Sequence, residues 1–438
     1  MIDALPILSN YTPWAISLVA LWLSFGVGRF MREGAAVRRR RKALERGAST
    51  PVSLHPLIDP ARCVGCGACA HACPEGKIIG LIGGKAQLLD PQSCIGHGAC
   101  KTACPASAID LVFGTAQRGV DIPLVSPDFE SSVPGVFIAG ELGGMGLIAN
   151  AIEQGRQAIA AVARLDGLRD QKRYDVVVVG GGPAGIAASL AAKELKLTCL
   201  TLEQDTLGGT VARYPRGKLV MTRPAELPLY GKVRLRRVRK ERLLTLWQSV
   251  IRKTGVKIHH QVRVERLVPM QIGFQIVTSS GSVEARAVVL ATGRRGTPRR
   301  LGVPGEALSK VSYDLGDPQR FQGRSVLVAG GGDSALEAVV ALLKQNVRSV
   351  TLVVRGRNLS RARSAVQDRL RLAQRDRRLQ LLFSSAVISI SPDHVVLDCD
   401  GQHVTLQNDA VIVCIGGELP LALLNGIGIA VETRYGTA

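Results

Sequence analysis

The sequence has few aromatic side chains and few acidic ones. Aromatic residues make up 4% of the 438, and 56 Lys and Arg outnumber 35 Asp and Glu, which gives a formal net charge of +21. The basic runs lack interleaved aromatic residues and contain no recognition motif, so a nucleic acid is not an expected partner. The charge is compatible with solvated faces, or with attraction to anionic lipid, an acidic protein or a phosphorylated cofactor. Forty-eight glycines and 46% hydrophobic residues indicate an α/β nucleotide-binding protein of two or three domains.

Cysteine is scarce outside one segment. Seven of the ten cysteines lie between residues 63 and 104 at metal-ligand spacing, which argues against a disulfide scaffold and for a reducing compartment. The segment contains a repeat with a period of 31 residues, in which "CVGCGACAHACP" (63–74) aligns with "CIGHGACKTACP" (94–105). The first copy is a C-x2-C-x2-C-x3-C-P run, in which three thiolates reach one cluster and the fourth reaches another.

This segment resembles a bacterial two-cluster ferredoxin. The resemblance implies a small α+β domain over residues 54–113 with two [4Fe-4S] clusters. The first cluster would be bound by Cys63, Cys66, Cys69 and Cys104, and the second by Cys73, Cys94 and Cys100. His97 replaces a cysteine of the second copy. It could bind the fourth iron through a ring nitrogen; the alternatives are a labile iron or a [3Fe-4S] cluster.

The first apolar run has no preceding cation and no small-residue cleavage site after it, which argues against a signal peptide. The run, "PWAISLVALWLSFGVGRFM" (13–31), is close to the length of a bilayer span, and the basic stretch "RFMREGAAVRRRRKALER" follows it. By the positive-inside rule we expect a transmembrane anchor over residues 1–33 and a basic linker over residues 34–53. The expected location is the bacterial inner membrane, with the bulk of the protein in the cytoplasm.

A strand, a glycine turn and a helix are predicted in "YDVVVVGGGPAGIAASLAAKELKLTCLTLEQ" (174–204). Its glycines fit G-x-G-x-x-G, and Glu203 follows the second strand, where a carboxylate binds a ribose diol. "LGGT" (207–210) and "VVLATG" (288–293) follow in the order found in thioredoxin-reductase-like flavoproteins. This resemblance implies an FAD site within residues 171–305, formed by Gly180, Gly182, Pro183, Ala184, Gly185, Glu203, Gly208, Gly209, Thr292 and Gly293.

The same pattern recurs in "SVLVAGGGDSALE" (325–337), whose turn resembles the NADPH turn of the thioredoxin reductase family. Arginines follow the next strand, where an NAD-specific site has an acid, and guanidinium groups suit a 2′-phosphate. NADPH is therefore expected over NADH, although these arginines could be merely solvated. The implied NAD(P)H domain covers residues 306–420, with the site residues Gly330, Gly332, Asp333, Ser334, Ala335, Arg355 and Arg357.

The segment "VPGVFIAGELGGMG" (133–146) resembles the closing segment of such flavoproteins, yet it precedes the first glycine turn. The chain ends with "GIAVETRYGTA" (428–438), where a conventional member would continue into that closing segment. We therefore expect a circularly permuted FAD domain. Residues 114–170 would supply its C-terminal portion, with Gly140 and Glu141 at the flavin, and residues 421–438 would return to it. The expected fold class is α/β, with two Rossmann-like domains, the ferredoxin domain and the N-terminal helix.

No C-x-x-C motif occurs in the nicotinamide half, so disulfide reduction is not expected, and the pattern is closer to the ferredoxin–NADP reductases. It implies an FAD-dependent oxidoreductase that moves electrons between NADPH, FAD, the clusters and a redox partner such as a cytochrome, a ferredoxin or a quinone. Hydride transfer needs no side-chain acid or base, so no catalytic residue is named. The alternatives are a membrane-tethered conduit or redox sensor that binds nucleotides without turnover, and a reductase of a small molecule. The sequence does not indicate an oligomeric state.

Overall fold

The structure is a computed structural model. It describes residues 12–45, 51, 54–94, 96, 98–115, 119–144, 146–221, 224–234, 237–294, 297–359, 362 and 364–436. Two compact units are found, residues 1–112 and residues 113–436. The division lies one residue from the expected end of the cysteine-rich domain.

The first unit combines a long helix with a small cysteine-rich domain. Its elements in chain order are α1 (Thr12–Glu45), β1 (His55–Ile58), α2 (Ala68–Ala72), β2 (Ile79–Ile82), β3 (Lys85–Leu88), a 3₁₀ turn (Pro91–Ser93), α3 (Ala99–Thr102) and β4 (Ile109–Val112). β1 pairs antiparallel with β4, and β2 pairs antiparallel with β3. Cys63, Cys69 and Cys100 are buried with Ala86 and Ile109, so thiol groups form part of the core of this domain.

Within the described residues, none of the helices has the length and apolar character needed to cross a bilayer. The transmembrane anchor predicted over residues 1–33 is therefore not supported. In α1 the charged residues Arg29, Arg32 and Glu33 follow directly on the apolar stretch and belong to the same helix.

α1 also runs through most of the predicted basic linker, residues 34–53, as far as Glu45. The reason lies in its packing, because Ala36 and Ala43 are buried, whereas the basic side chains of residues 38–42 between them are exposed. Glu33 accepts a hydrogen bond from the N–H of Gly83 at 2.6 Å, and Arg39 donates one to the carbonyl of Lys77 at 3.2 Å. The second half of α1 is thus a docked helix.

The second unit begins with strands and helices that build one mixed sheet. In chain order they are β5 (Val120–Pro123), β6 (Val136–Ile138), a 3₁₀ turn (Glu141–Gly143), α4 (Ile148–Val162), β7 (Tyr174–Val179), α5 (Pro183–Glu194), β8 (Cys199–Leu202), a 3₁₀ turn (Gly209–Val211), β9 (Leu219–Met221), β10 (Ala225–Leu227), β11 (Gly231–Val233), β12 (Arg237–Arg239), α6 (Lys240–Thr254), β13 (Ile258–His259), β14 (Val264–Pro269), β15 (Phe274–Thr278), β16 (Gly281–Leu290) and β17 (Thr297–Pro298).

The unit continues with a second group of elements. They are β18 (Val311–Ser312), a 3₁₀ turn (Pro318–Phe321), β19 (Ser325–Ala329), α7 (Asp333–Leu343), β20 (Ser349–Val353), α8 (Ser364–Ala373), β21 (Leu379–Leu382), β22 (Ser385–Ile390), β23 (His394–Cys399), β24 (Gln402–Gln407), β25 (Ala410–Val413), β26 (Gly417–Glu418), α9 (Leu421–Ile427) and β27 (Val431–Arg434).

The first sheet has the order β13-β8-β7-β16-β15-β14, and β6 also pairs with β16. The strands β6, β7, β8, β13 and β16 pair parallel, whereas β14 and β15 are antiparallel. β7 is apolar on both faces, with Val176, Val177 and Val178 fully buried, as expected of a central parallel strand covered on both sides. β6 precedes β7 in the chain but lies on the far side of β16 from it.

The second sheet, β18-β25-β19-β20-β21, is parallel throughout and packs on α7 and α8. β22, β23 and β24 form a separate antiparallel sheet. The short pair β17–β26 joins residues 297–298 to residues 417–418. After it the chain returns to the first sheet, since Leu424, Ile427 and Ile429 are buried in the core beneath β6 and β16.

α4 and α5 cross closely on one face of the first sheet. Small residues line the contact, among them Ala151, Ala158, Ala184 and Ala188. At Gly155 an added Cβ would lie 2.1 Å from the carbonyl oxygen of Ala184, far inside van der Waals contact. The crossing therefore requires glycine at this position.

We predict that Gly155→Ala lowers the free energy of unfolding of the second unit by about 1–3 kcal/mol, the usual cost of overpacking a close contact. The measurement is urea denaturation followed by circular dichroism. The matched control is Gly426→Ala in α9, where an added Cβ meets no described heavy atom within 4 Å. There the loss of backbone freedom in the unfolded chain should leave stability unchanged or raise it by up to about 1 kcal/mol. Equal midpoints for the two variants would contradict the prediction.

Candidate cofactor sites

A cavity of about 250 Å³ lies where three parallel strands of the first sheet end. Gly140 and Glu141 follow β6, Gly180 and Gly182 follow β7, and Thr292 follows β16; all five line the cavity. Ligands of open α/β sheets bind beyond the carboxyl ends of the strands, and this cavity occupies that place. The other lining residues among those predicted from sequence are Pro183, Ala184, Glu203, Gly208, Gly209 and Gly293.

The turn after β7 is shaped for a backbone that must come close to a ligand. Gly180 has φ +116°, and a Cβ there would lie 2.5 Å from the carbonyl oxygen of Ala291. At Gly182, by contrast, an added Cβ would meet none of the described heavy atoms within 4 Å, so this backbone faces open cavity. Gly185 differs from the prediction, because it does not line the cavity. It packs against Gly180, whose carbonyl oxygen would lie 1.8 Å from an added Cβ.

Two helices point their N-termini at this cavity. α5 begins at Pro183 with Gly182 as its N-cap, and α4 begins at Ile148 after Leu147; all four residues line the cavity. Unsatisfied N–H groups and the helix dipole at such ends attract an anion. The pyrophosphate of a dinucleotide fits this arrangement.

Glu203 is buried and held at both carboxylate oxygens. Its Oε2 accepts the N–H of Gly181 at 2.6 Å, and its Oε1 accepts the N–H of Asp205 at 2.8 Å. Burial raises the pKa of this carboxyl above its ordinary value, and the hydrogen bond from Gly181 opposes the shift. Each oxygen keeps a further lone pair that a ribose hydroxyl could reach.

Gln154 is a supporting residue that the sequence analysis did not identify. It lies on α4 with 6% of its surface exposed, and its Oε1 accepts the N–H of Gly140 at 2.7 Å. This bond fixes the turn after β6 from the neighbouring helix. A polar residue within an otherwise apolar helix face was the available signal. Further lining residues without a motif include Arg213, Tyr214, Arg263, Pro420 and Leu423.

The second glycine turn follows β19 in the second sheet. Gly330 has φ +143°, and a Cβ there would lie 2.4 Å from the carbonyl oxygen of Cys414. Gly332 is the N-cap of α7, whose first turn contains Asp333 and Ser334, and Ala335 is fully buried beneath it. The turn thus has the form of the first one, with alanine at the close-packed third position.

The predicted 2′-phosphate ligands lie after β20. Arg355 and Arg357 are exposed, so both guanidinium groups are accessible to a nucleotide. Arg361 and Arg363, which extend the basic run, lie outside the described residues.

In the first unit, a small pocket is lined by the four thiols assigned to the first cluster, Cys63, Cys66, Cys69 and Cys104. Burial raises the pKa of Cys69 to about 11. Backbone N–H groups point at two of the sulfurs, from Ala86 to Cys63 at 3.4 Å and from Ala108 to Cys104 at 3.3 Å. An apolar pocket with N–H···S donors fits an anionic iron–sulfur cluster.

The thiols assigned to the second cluster also lie near one another. Burial raises the pKa of Cys94 to about 11, and the negative charges of Cys100 and Cys73 add to the shift. His97 lies outside the described residues, so its ligation stays a prediction. In the described part of the chain, no three His, Cys, Asp or Glu side chains converge on a single metal ion. A cubane does not require this, because each thiolate binds a different iron.

Two cysteines of the second unit are unsuited to thiol chemistry. Burial raises the pKa of Cys199 and of Cys414 to about 12. A thiol needs a lowered pKa to react readily with a disulfide, and the pKa of each of these two thiols is raised instead.

Comparisons with known proteins agree with the two kinds of site. The profile of the pyridine nucleotide-disulphide oxidoreductase family matches residues 177–436, and that of a 4Fe-4S dicluster domain matches residues 55–105. A ferredoxin–NADP reductase of Ignicoccus hospitalis is 28% identical over 58% of this chain and 81% of its own length. The solved bacillithiol disulfide reductase of Bacillus cereus is 25% identical, with a TM-score of 0.53, over 59% of this chain and 82% of its own. The chain therefore combines an α/β dinucleotide-binding fold with a ferredoxin domain, and its cofactors are FAD, NAD(P)H and 4Fe-4S clusters.

We predict that Glu203→Gln weakens FAD binding at least about tenfold. A carboxamide offers one acceptor oxygen, so its NH₂ group must face the N–H of Gly181 or of Asp205, and an unmatched buried donor costs about 1–3 kcal/mol. The measurement is the FAD-to-protein ratio after purification, followed by titration of the apoprotein with FAD. Glu284→Gln, an exposed change on β16, is the control and should bind FAD like the wild type. Equal affinity of the two variants would argue against this role of Glu203.

Proposed function

Because the chain belongs to the pyridine nucleotide-disulphide oxidoreductase family, we propose that it works as a ferredoxin–NADP reductase whose ferredoxin lies on the same polypeptide. The enzyme is an FAD-dependent NAD(P)H oxidoreductase. In the proposed reaction, electrons pass between NADPH, FAD and two [4Fe-4S] clusters, and from there to or from a further redox partner. One observation carries the proposal: a glycine-lined cavity with Glu203 at its wall and a pocket of four cysteines occur in one chain.

The residues that would hold FAD divide by the part of the cofactor that they suit. Gly182 and Pro183 present backbone and a helix N-terminus to the pyrophosphate, and Glu203 accepts from the ribose. Glu141 and Thr292, after β6 and β16, line the same cavity. Bound flavin, nicotinamide and clusters supply the hydride and single-electron chemistry. The protein side chains bind, orient and exclude water, and none is required as a proton donor.

We also propose that the flavin-binding part of the second unit is a circular permutation of the usual family order. The segment after β6 contributes to the cavity although it precedes β7. At the other end of the chain, β27 pairs antiparallel with β5. An added Cβ at Gly436 would lie 2.3 Å from the carbonyl oxygen of Gly114, so the two joints expected of a permutation are adjacent. Permutation is tolerated where old termini lie close together at the surface.

We propose only the chemical class of the electron partner. A cytochrome, a second ferredoxin or a quinone can exchange single electrons with an iron–sulfur cluster. The formal net charge of +21 favours an acidic protein among these, since opposite charge raises the rate of encounter.

The proposed electron path predicts an order of reduction. Under anaerobic conditions NADPH should bleach the flavin absorbance first and the cluster absorbance afterwards. Cys66→Ser should lower the iron content and the slower absorbance change, because this thiol lines the first cluster pocket. Flavin bleaching should persist in that variant. The measurement is stopped-flow absorbance combined with iron analysis.

The control for that experiment is Cys399→Ser, in the antiparallel sheet of the second unit, which should retain both phases and full iron content. A flavin that neither NADPH nor NADH reduces would refute the proposed function. Cluster reduction by NADPH in flavin-free protein would refute the proposed order.

The exposed arginines after β20 predict nucleotide preference. Arg355→Ala should raise the KM for NADPH about tenfold, because a charge-assisted hydrogen bond contributes about 1.5–3 kcal/mol. The KM for NADH should stay within about twofold, since NADH lacks the 2′-phosphate. Steady-state kinetics with both nucleotides and an artificial acceptor measure this, and Arg377→Ala, another exposed arginine of the same half, is the control. Parallel losses with both nucleotides would show that Arg355 does not read the 2′-phosphate.

A further inference from the structure

Lys218 connects the two nucleotide-binding halves of the second unit. Its Nζ lies 2.8 Å from Oε2 of Glu337, and both side chains are largely buried, with 22% and 18% of their surfaces exposed. Glu337 belongs to α7, the helix that starts at the second glycine turn with Gly332 as its N-cap. Lys218 belongs to the half that contains the flavin cavity.

The carboxylate of Glu337 depends on this contact. Its Oε2 is buried and accepts no well-aligned hydrogen bond from the described residues, so its interaction with Lys218 is one of charge. Removing the counter-charge of a buried carboxylate destabilises the fold strongly, because a buried charge is then left unpaired. This loss is larger than the stability that the ion pair contributes relative to an apolar pair of the same shape. The two side chains therefore form a unit in which each requires the other.

Lys218 also touches the wall of the flavin cavity. Its ammonium lies 4.3 Å from the centre of the Tyr214 ring, and Tyr214 lines the cavity. Such a cation over an aromatic face is attracted by the ring. The contacts thus run without a gap from α7, through Glu337 and Lys218, to a side chain that faces the flavin site.

The segment between Tyr214 and Lys218 is held at several points. The carbonyl of Lys218 accepts the N–H of Lys240 at 2.9 Å, and Glu241 accepts the N–H of Gly217 at 2.8 Å. The ammonium of Lys240 donates to the carbonyl of Tyr214. Because α6 fixes this segment, Glu337 is paired with a lysine in a rigid part of the structure rather than in a flexible loop.

We propose that Lys218 and Glu337 are positioning residues for hydride transfer: their ion pair holds the start of α7, and with it the NADPH turn, beside the flavin cavity wall at Tyr214. This role rests on the proposed function, because it presumes transfer from NADPH to FAD. It does not require either side chain to touch the reacting atoms.

A second ion pair joins the same halves and provides a matched control. Arg216 lies 3.6 Å from Asp317, but these side chains are 65% and 49% exposed. Exposed pairs contribute little because water and salt screen them. If any charge contact between the halves were sufficient, loss of either pair would have the same effect.

The test is anaerobic stopped-flow reduction of the flavin at increasing NADPH concentration. Lys218→Met should lower the limiting rate at least about tenfold, while the NADPH concentration for half-maximal rate changes less than about threefold. Lys218→Arg should retain most of the rate. Arg216→Met should behave like the wild type. A limiting rate for Lys218→Met within about twofold of the wild type would overturn the proposal.

The charge swap Lys218→Glu with Glu337→Lys separates positioning from a general loss of fold. If the pair acts through its mutual attraction, the double variant should recover part of the rate that each single change removes. A double variant no better than the worse single variant would contradict the proposal. The FAD-to-protein ratio is measured in each case, so that loss of flavin is not mistaken for slow transfer.

A readout without turnover distinguishes this proposal from the proposed function. NADP⁺ should perturb the flavin absorbance spectrum in the wild type, and Lys218→Met should abolish that perturbation while calorimetry still detects NADP⁺ binding. A wild type whose flavin neither NADPH nor NADH reduces would refute the proposed function, and the positioning role with it. An unchanged spectral response in Lys218→Met would refute the positioning role alone.

Discussion

The parallel pairing of β16 on both of its sides is the constraint on which the flavin cavity depends. Val288, Val289 and Leu290 pair with residues 177–179 of β7 on one side and residues 136–138 of β6 on the other. The paired residues of these strands are almost completely buried, so the pairing is fixed by apolar contact on both faces of the sheet. Because three strands are in register, they end at the same level, and the residues that follow them share one cavity. A one-residue slip of β6 would exchange its buried faces and move Gly140 and Glu141 away.

The pairing of these three strands does not depend on their order along the chain. A strand joins a sheet by its burial pattern and its hydrogen bonds, and β6 satisfies both although α4 and β7 follow it. Adjacent residues of α4 then complete the arrangement: Gly155 allows α5 to approach, and Gln154 reaches back to the N–H of Gly140. α4 thus sets both its own distance from α5 and the conformation of the turn after β6. This accounts for a cavity formed by segments that lie far apart along the chain.

Many of the residues that line the cavity and the thiol pocket could be predicted because they belong to local motifs. Gly180, Glu203 and the cysteines between residues 63 and 104 act through fixed spacings along the chain, which a sequence displays directly. Gln154 and Lys218 could not be predicted, because their partners are 14 and 119 residues away along the chain in segments with no common pattern. The structure does not support the anchor predicted for α1, and the reason is related. Its apolar composition and basic flank suggested an anchor and a linker, whereas the docking of residues 33–43 depends on two alanines and on the hairpin that they contact.

The two nucleotide sites of the second unit differ in a way that suits different roles. The cavity proposed for flavin is lined by residues from distant parts of the chain, among them Glu141 and Leu423, and Glu203, the proposed ribose ligand, is 5% exposed. Such a site suits a cofactor that stays bound. The arginines at the second turn are exposed, so a nucleotide there can exchange with solvent without disturbing the core. A resident cofactor and an exchangeable one are what the proposed hydride transfer between two nucleotides requires. In that proposal, the contact from α7 to Tyr214 is the place where the exchangeable site is held against the resident one.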